Sequence, residues 1–293
     1  MIKLKFVDFW SGFPVNDNYF TNLLRKEWEI EISDTPDYII CSVFGDWVNG
    51  APHGINYKNY NCTRILFTGE NTRPDFENYQ YNFGFDYNDD PRYYRLPLYV
   101  MYGDPSELLI KPPFERISAE RTKFCSFVVG NPTPTERLNF FDKLSRYKFI
   151  ESGGPVRNNI GKIDNGKLVI GGRVLPDKKV EWCRQYKFAL CFENASYPGY
   201  TTEKLFHAMQ SNAIPIYWGN PLVAQDFNPA SFVDAGKFEN YDLAIEHIKN
   251  IDNNDSLYRE IYEQPYYPNN QLTEYAKSEN ILNSFRKIFN ANN

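Results

Sequence analysis

The chain has 293 residues, 32 basic and 37 acidic side chains, a formal net charge of -5 and 17% aromatic content. This length makes one large domain or two of ordinary size, and the acidic balance excludes a global basic field for nucleic acid or anionic membrane, so any anion site must be a local cluster. No run of about 18 apolar residues is available to span a membrane, and the opening MIKLKFVDFW alternates like a strand and lacks the apolar core of a signal peptide. Cys41, Cys62, Cys125, Cys183 and Cys191 have no metal-type pair spacing and read as reduced, buried thiols; His53, His207 and His247 have no ligand spacing either.

Residues 2–10 read as a first strand, followed by the loop SGFPVND, and residues 18–30 carry apolar side chains at helical spacing. YIICSVFG (38–45) is a continuous apolar run of the kind a buried parallel strand shows. RILFTGENTRPDF (64–76) is a strand running into a loop at Gly69, and two short strand-like pieces follow before residue 100. Residues 107–122, with adjacent prolines, read as the connection to a second α/β unit. That unit starts with the strand FCSFVVGN (124–131), continues through the amphipathic helix 136–147 and the strand 147–152, and reaches a polar Gly-rich loop at 157–173. Helix 178–186, strand 187–194, helix 241–251 and a terminal helix with Ile281, Leu282, Phe285, Ile288 and Phe289 on one face complete the reading.

The most informative stretch runs from Phe192 to Gly219. Glu193 and Asn194 end a strand, a Tyr/Pro/Gly loop follows, and Thr201–Thr202–Glu203–Lys204 opens a helix. A helix start offers unpaired N–H groups to an anion such as phosphate. Glu203 suits the dipole there, but Lys204 opposes it, so a task beyond stability is expected of the lysine. Tyr200 reads equally as a core aromatic or a hydroxyl donor to a ligand, and structural bonding to the loop explains Glu193 and Asn194 as well as ligand binding does. Arg157, after two glycines, could clamp phosphate oxygens or lie on the surface of a flexible loop. Glu70, at the end of an apolar strand, has the placement of a general base, but spacing alone favours a loop carboxylate facing solvent or capping a neighbouring helix.

Phe192–Glu193–Asn194, Tyr200–Thr201–Thr202–Glu203–Lys204 and Ile214–Pro215–Ile216–Tyr217–Trp218–Gly219 together resemble the signature of the α-1,3/4-fucosyltransferase family, glycosyltransferase family 10. FTGENTRPDF (67–76), YNFGFDYNDDPRYYRLPLY (81–99), SFVVGNPTPTERLNFFDKL (126–144), SGGPVRNNIG (152–161) and NPLVAQDFNPASFV (220–233) are similar in pattern to its bacterial Helicobacter-type members. Thr201 stands where the family usually has Val.

The resemblance implies an α/β GT-B fold, two Rossmann-like lobes facing a central cleft. Expected are an acceptor-binding lobe at 1–118, a GDP-fucose-binding lobe at 119–276 and a C-terminal helix at 277–293 packing back on the first lobe. It implies inverting α-1,3 transfer of L-fucose from GDP-fucose to the GlcNAc or Glc of a Galβ1,4-type acceptor, as in Lewis-type glycan synthesis. Glu70 is implied as the catalytic base, Arg157, Asn194, Tyr200, Glu203 and Lys204 as donor-binding residues, and Glu193 as a residue behind them. No metal or other cofactor is expected, since no supported Asp-x-Asp site is visible. Expected partners are the donor and an oligosaccharide, glycolipid or lipopolysaccharide acceptor, with no nucleic acid. The expected location is the bacterial cytoplasm, with at most a peripheral association with the inner membrane. Another nucleotide-sugar donor, α-1,4 regiochemistry, or a non-catalytic glycan-binding protein are the rival readings.

Overall fold

In the computed structural model, residues 1–48, 51–53, 55–161, 169–170, 173–174 and 176–291 are described; much of the loop expected at 157–173 lies outside them. The chain forms two compact units, one of residues 1–101 with 273–293 and one of residues 102–272. The division follows Met101, earlier than the expected boundary at 118.

The first unit is built on a wholly parallel six-stranded sheet. Its strands are β1 (Ile2–Val7), β2 (Ile30–Ile32), β3 (Tyr38–Cys41), β6 (Thr63–Phe67), β7 (Tyr81–Gly84) and β8 (Tyr93–Arg95), in the order β2-β1-β3-β6-β7-β8; β4 (Asp46–Val48) and β5 (Ala51–His53) form a separate hairpin. Every residue of β3 is buried, which is why that strand reads as an uninterrupted apolar run. Helix α1 (Tyr19–Leu24) is shorter than its periodicity suggests, because the chain must turn back to deliver Ile30 to the sheet edge beside Ile2.

The second unit carries a five-stranded parallel sheet in the order β10-β9-β13-β14-β15. These strands are β9 (Lys123–Phe127), β10 (Ile150–Ser152), β13 (Tyr186–Leu190), β14 (Ile214–Tyr217) and β15 (Val233–Asp234), while β11 (Val169–Ile170) and β12 (Arg173–Val174) pair with each other. The supporting helices are α2 (Phe114–Glu120), α3 (Thr135–Leu144), α4 (Pro176–Cys183), α5 (Glu203–Gln210), α6 (Tyr241–Asp252) and α7 (Asp255–Glu263). Phe124, Phe127, Phe140, Phe188, Phe192 and Ile216 sit in one continuous core with the apolar faces of α3 and α6. The segment 107–122 is not an open linker: α2 occupies much of it, and Tyr262, on α7, donates its hydroxyl to the Pro112 carbonyl at 2.8 Å.

Helix α8 (Ser278–Asn290) belongs to the first unit. Phe285, fully buried, lies with its ring 5.0 Å from Phe83 in a stacked pose and 6.1 Å from Phe20, and the Tyr38 hydroxyl donates to the Phe289 carbonyl at 3.2 Å. Removing the Phe285 ring leaves a cavity between helix and sheet. Phe285→Ala is therefore expected to destabilise the protein by about 3–5 kcal/mol in urea unfolding; a loss under about 1 kcal/mol would show that α8 is not part of the cooperative fold.

Candidate functional site

Because both sheets are parallel, the carboxyl ends of their strands line one edge of each, where ligands of α/β proteins collect. In the second unit, pairing continues past β13: the Cys191 N–H donates to the Ile216 carbonyl at 2.9 Å and the Glu193 N–H to the Trp218 carbonyl at 2.8 Å. That register turns the Glu193 side chain inward, and it is fully buried. A buried carboxylate needs donors, and Glu193 has three. The Thr202 N–H reaches Oε1 at 2.8 Å, while the Thr202 hydroxyl at 2.6 Å and the Lys204 ammonium at 3.1 Å reach Oε2. Gly219 permits this packing, since a Cβ there would lie 2.5 Å from Glu193 Cγ.

Lys204 also donates to the Thr202 hydroxyl at 2.8 Å and lies 3.7 Å from Glu203. Its side chain is 12% exposed. Burial lowers its pKa, but the Glu193 and Glu203 carboxylates outweigh that and hold the ammonium above its usual range. For Glu203 burial acts upward and is overcome, chiefly by Lys204 and then Lys179, leaving the carboxyl at about 2. Thr202 is the N-cap residue of α5, but its hydroxyl makes no capping bond to the helix. The anomaly of a lysine in the first turn thus has an explanation within the protein, a carboxylate behind it.

Asn194 is half-buried, and its Oδ1 accepts from Arg137 Nη2 at 2.5 Å. Arg137 is only 1% exposed, and its Nε has no hydrogen-bond partner among the described residues. Burial pulls its pKa down, and Glu193, Tyr200 and Glu203 pull it back up. Tyr200 is buried beside this cluster, and its loop is stapled by Asn220, which accepts from the Gly199 N–H at 2.7 Å and donates to the Thr201 hydroxyl at 3.0 Å. Asn194, Tyr200, Glu203 and Lys204 are thus gathered at one strand edge around Glu193, with Asn194 held by Arg137 and with Glu203 and Lys204 facing each other.

Arg157 is not drawn into this cluster. It is exposed, stands in a left-handed turn (φ 55) and pairs with Asp142 at 2.6 Å. The glycine before it serves packing: a Cβ on Gly154 would lie 2.7 Å from the Val129 carbonyl oxygen. The arginine buried beside Asn194 is Arg137, which spacing alone does not single out. Its signal was present, since Arg137 stands one helical turn before Phe140 and Phe141 on the core-facing stripe of α3.

Glu70 lies in the first unit, three positions past the end of β6. Its backbone is fixed by Thr68, whose hydroxyl accepts from the Glu70 N–H at 3.1 Å and donates to the Glu70 carbonyl at 3.2 Å, and its side chain is half-exposed. Gly69 sits against Leu98, where a Cβ would come within 2.7 Å of Cδ1. On the same edge, the loop after β1 displays Phe9 stacked on Phe13 at 4.1 Å and Trp10 edge-on to Phe13 at 4.9 Å. Among the described residues, no group of three or more His, Cys, Asp and Glu side chains is arranged to hold a metal, and no helix is long and apolar enough to cross a membrane.

The model of the glycosyltransferase family 10 (fucosyltransferase) C-terminal domain matches residues 118–283, over half of the chain. The chain belongs to glycosyltransferase family 10. The α-(1,3)-fucosyltransferase FucT N-terminal domain matches residues 4–102. The α-(1,3)-fucosyltransferase FucT of Helicobacter pylori is 32% identical over 304 residues, 90% of this chain and 60% of that protein, so the chain spans about 60% of that relative's length. A putative fucosyltransferase of Acanthamoeba polyphaga mimivirus is 34% identical over 58% of this chain and 28% of its own. A crystal structure of an α1,3-fucosyltransferase superposes with a TM-score of 0.80 at 28% identity, over 98% of this chain and 89% of its own. One solved with GDP-fucose superposes at 0.77 and 28% identity, over 98% and 90%. The two parallel-sheet α/β units carry the architecture of the GT-B fold.

His207, on the inner face of α5, is 3% exposed with neither ring nitrogen hydrogen-bonded among the described residues, and its ring lies edge-on to Tyr102 at 5.5 Å. Burial, then the Lys179 charge, pull its pKa down to about 3. The folded state therefore refuses a proton that the unfolded chain accepts below about pH 6.5. Stability should be complete above that pH and fall by about 1.4 kcal/mol per unit below it, down to the folded pKa. Comparing unfolding free energies at pH 7 and pH 5, the wild type should lose about 2 kcal/mol more than His207→Phe; equal losses would mean that His207 is protonated in the folded state.

Proposed function

We propose that this family 10 chain is an inverting α-1,3-fucosyltransferase, moving L-fucose from GDP-fucose to the GlcNAc or Glc of a Galβ1,4-type acceptor, glycan or glycolipid, in Lewis-type glycan synthesis. The observation that carries the reading is the built cation site at the carboxyl edge of the second sheet: Lys204 locked by Glu193 and Thr202, and Arg137 buried with, among the described residues, no carboxylate in hydrogen-bond contact. Such preorganised cations stabilise negative charge developing on a diphosphate leaving group without reorganising. The likeness to α1,3-fucosyltransferases solved with GDP and with GDP-fucose supports the same donor.

In the proposed reaction, Glu70 takes the proton of the acceptor hydroxyl as its oxygen attacks the anomeric carbon of fucose. The bond from that carbon to the β-phosphate oxygen breaks, and GDP leaves with the electron pair. One displacement inverts the anomeric centre, through an oxocarbenium-like transition state. Arg137 and Lys204 meet the charge on the diphosphate. Asn194 and Tyr200 orient it, and Glu203, ionised by its neighbours, accepts from ribose hydroxyls. Because GDP is already a good leaving group, neutralisation by these cations makes a metal unnecessary in this scheme. Phe9, Trp10 and Phe13 offer apolar faces to the acceptor sugar on the sheet edge that also carries Glu70.

An assay with GDP-fucose and a panel of type-1 and type-2 disaccharides, with product linkage determined, tests the reading; transfer from another nucleotide sugar alone would overturn it. Glu70→Gln should lose at least about 100-fold in turnover with GDP affinity retained, and a variant with near-wild-type turnover would exclude Glu70 as the base. Arg137→Ala should weaken GDP binding by about tenfold or more, and Arg157→Ala by less than about threefold; the reverse order would return the phosphate role to Arg157. Turnover should survive EDTA, and its complete loss, restored by a divalent ion, would refute the metal-free scheme.

A further inference from the structure

A second lysine faces the same edge. Lys179 projects from α4 and, with Lys204, lines a narrow slot between α4, α5 and the ends of β9 and β13, whose other walls include Val128, Val129, Cys191 and Ala208. Lys204 is matched there by Glu193 and Glu203. Lys179 is half-buried and, among the described residues, has no hydrogen-bond or ion-pair partner, although its neighbour Lys178 pairs with Glu181. Its charge nonetheless reaches the cluster, since it helps hold the Glu203 carboxyl ionised and the His207 ring neutral.

The charge inventory is unbalanced. Arg137, Lys179 and Lys204 are three cations around two buried or half-buried carboxylates, Glu193 and Glu203. A partly desolvated surplus of positive charge is costly unless an anion completes it. The slot holds about 10 Å³, the space of roughly one water molecule, which is too small for a nucleotide but suited to one anionic oxygen.

We propose that Lys179 is a further donor-binding residue, whose ammonium contacts an oxygen of the nucleotide's diphosphate from α4 while Lys204 does so from α5. The assignment rests on the GDP-fucose reading above. It gives the diphosphate a third cation and makes α4 part of the donor site.

The test uses the full chain as wild type, Lys179→Met, which keeps an unbranched stem, and Lys179→Arg, which keeps the charge. GDP affinity is measured by calorimetry and guanosine affinity by NMR titration. Lys179→Met is expected to bind GDP about 10- to 100-fold more weakly, as for loss of one charge-assisted hydrogen bond, with guanosine affinity unchanged and Lys179→Arg recovering most of the loss. Unchanged GDP affinity in Lys179→Met overturns the proposal. So does an equal loss for guanosine, which would place Lys179 on the base or betray damage to the fold. A wild type that binds no GDP overturns the donor reading itself, and is distinguished by failing before any variant is compared.

Discussion

The second unit is organised around one buried carboxylate. Glu193 leaves water entirely, which is tolerable only because a backbone N–H, a hydroxyl and an ammonium all donate to it. Each donor comes from the entrance to α5. Satisfying the carboxylate therefore also fixes where the helix starts, and removing it would leave Lys204 half-buried beside Glu203 alone. The neighbouring chain conforms to the same demand: residue 219 has no side chain because Glu193 occupies the space.

From this constraint the rest of the candidate site follows by adjacency. Asn194 is the next residue, and it leans on Arg137 from α3. Tyr200 and Thr201 are carried by a loop that Asn220 ties to the chain beyond β14. Helix α3, the end of β13, the entrance to α5 and the chain after β14 thus supply one cluster whose loop is tied down by hydrogen bonds. A site held this way spends little energy on ordering when a ligand arrives, which is the condition for electrostatic preorganisation.

Much of this was legible in the sequence because burial in a parallel sheet leaves long apolar runs. Tyr38–Cys41 and the stripe from Ile281 to Phe289 announced a strand and a packed helix without ambiguity. The segment from Glu193 to Lys204 was legible because its polar groups stand where only partners or ligands justify them. The arginines were not. Arg157 follows glycines, one of which, Gly154, packs against the Val129 backbone, and its exposed guanidinium pairs with Asp142 on the surface. Arg137 looked like one more charge on an amphipathic helix. Its side chain comes in among Phe140, Phe141 and Leu144, and only three-dimensional packing reveals that Asn194 waits for it there. The carboxylates that face Lys204 from within the protein, Glu193 and Glu203, are likewise brought to it only by the fold.

The Thr202 hydroxyl carries a further implication. An ammonium has protons only to give, so where Lys204 meets Thr202 Oγ1 the oxygen must accept, and the hydroxyl's own proton is directed to Glu193. The rotor is left with one setting. Lysine, threonine and glutamate consequently form a ring with a single proton order and no degenerate alternative, a frozen dipole whose positive end is the ammonium at the head of α5.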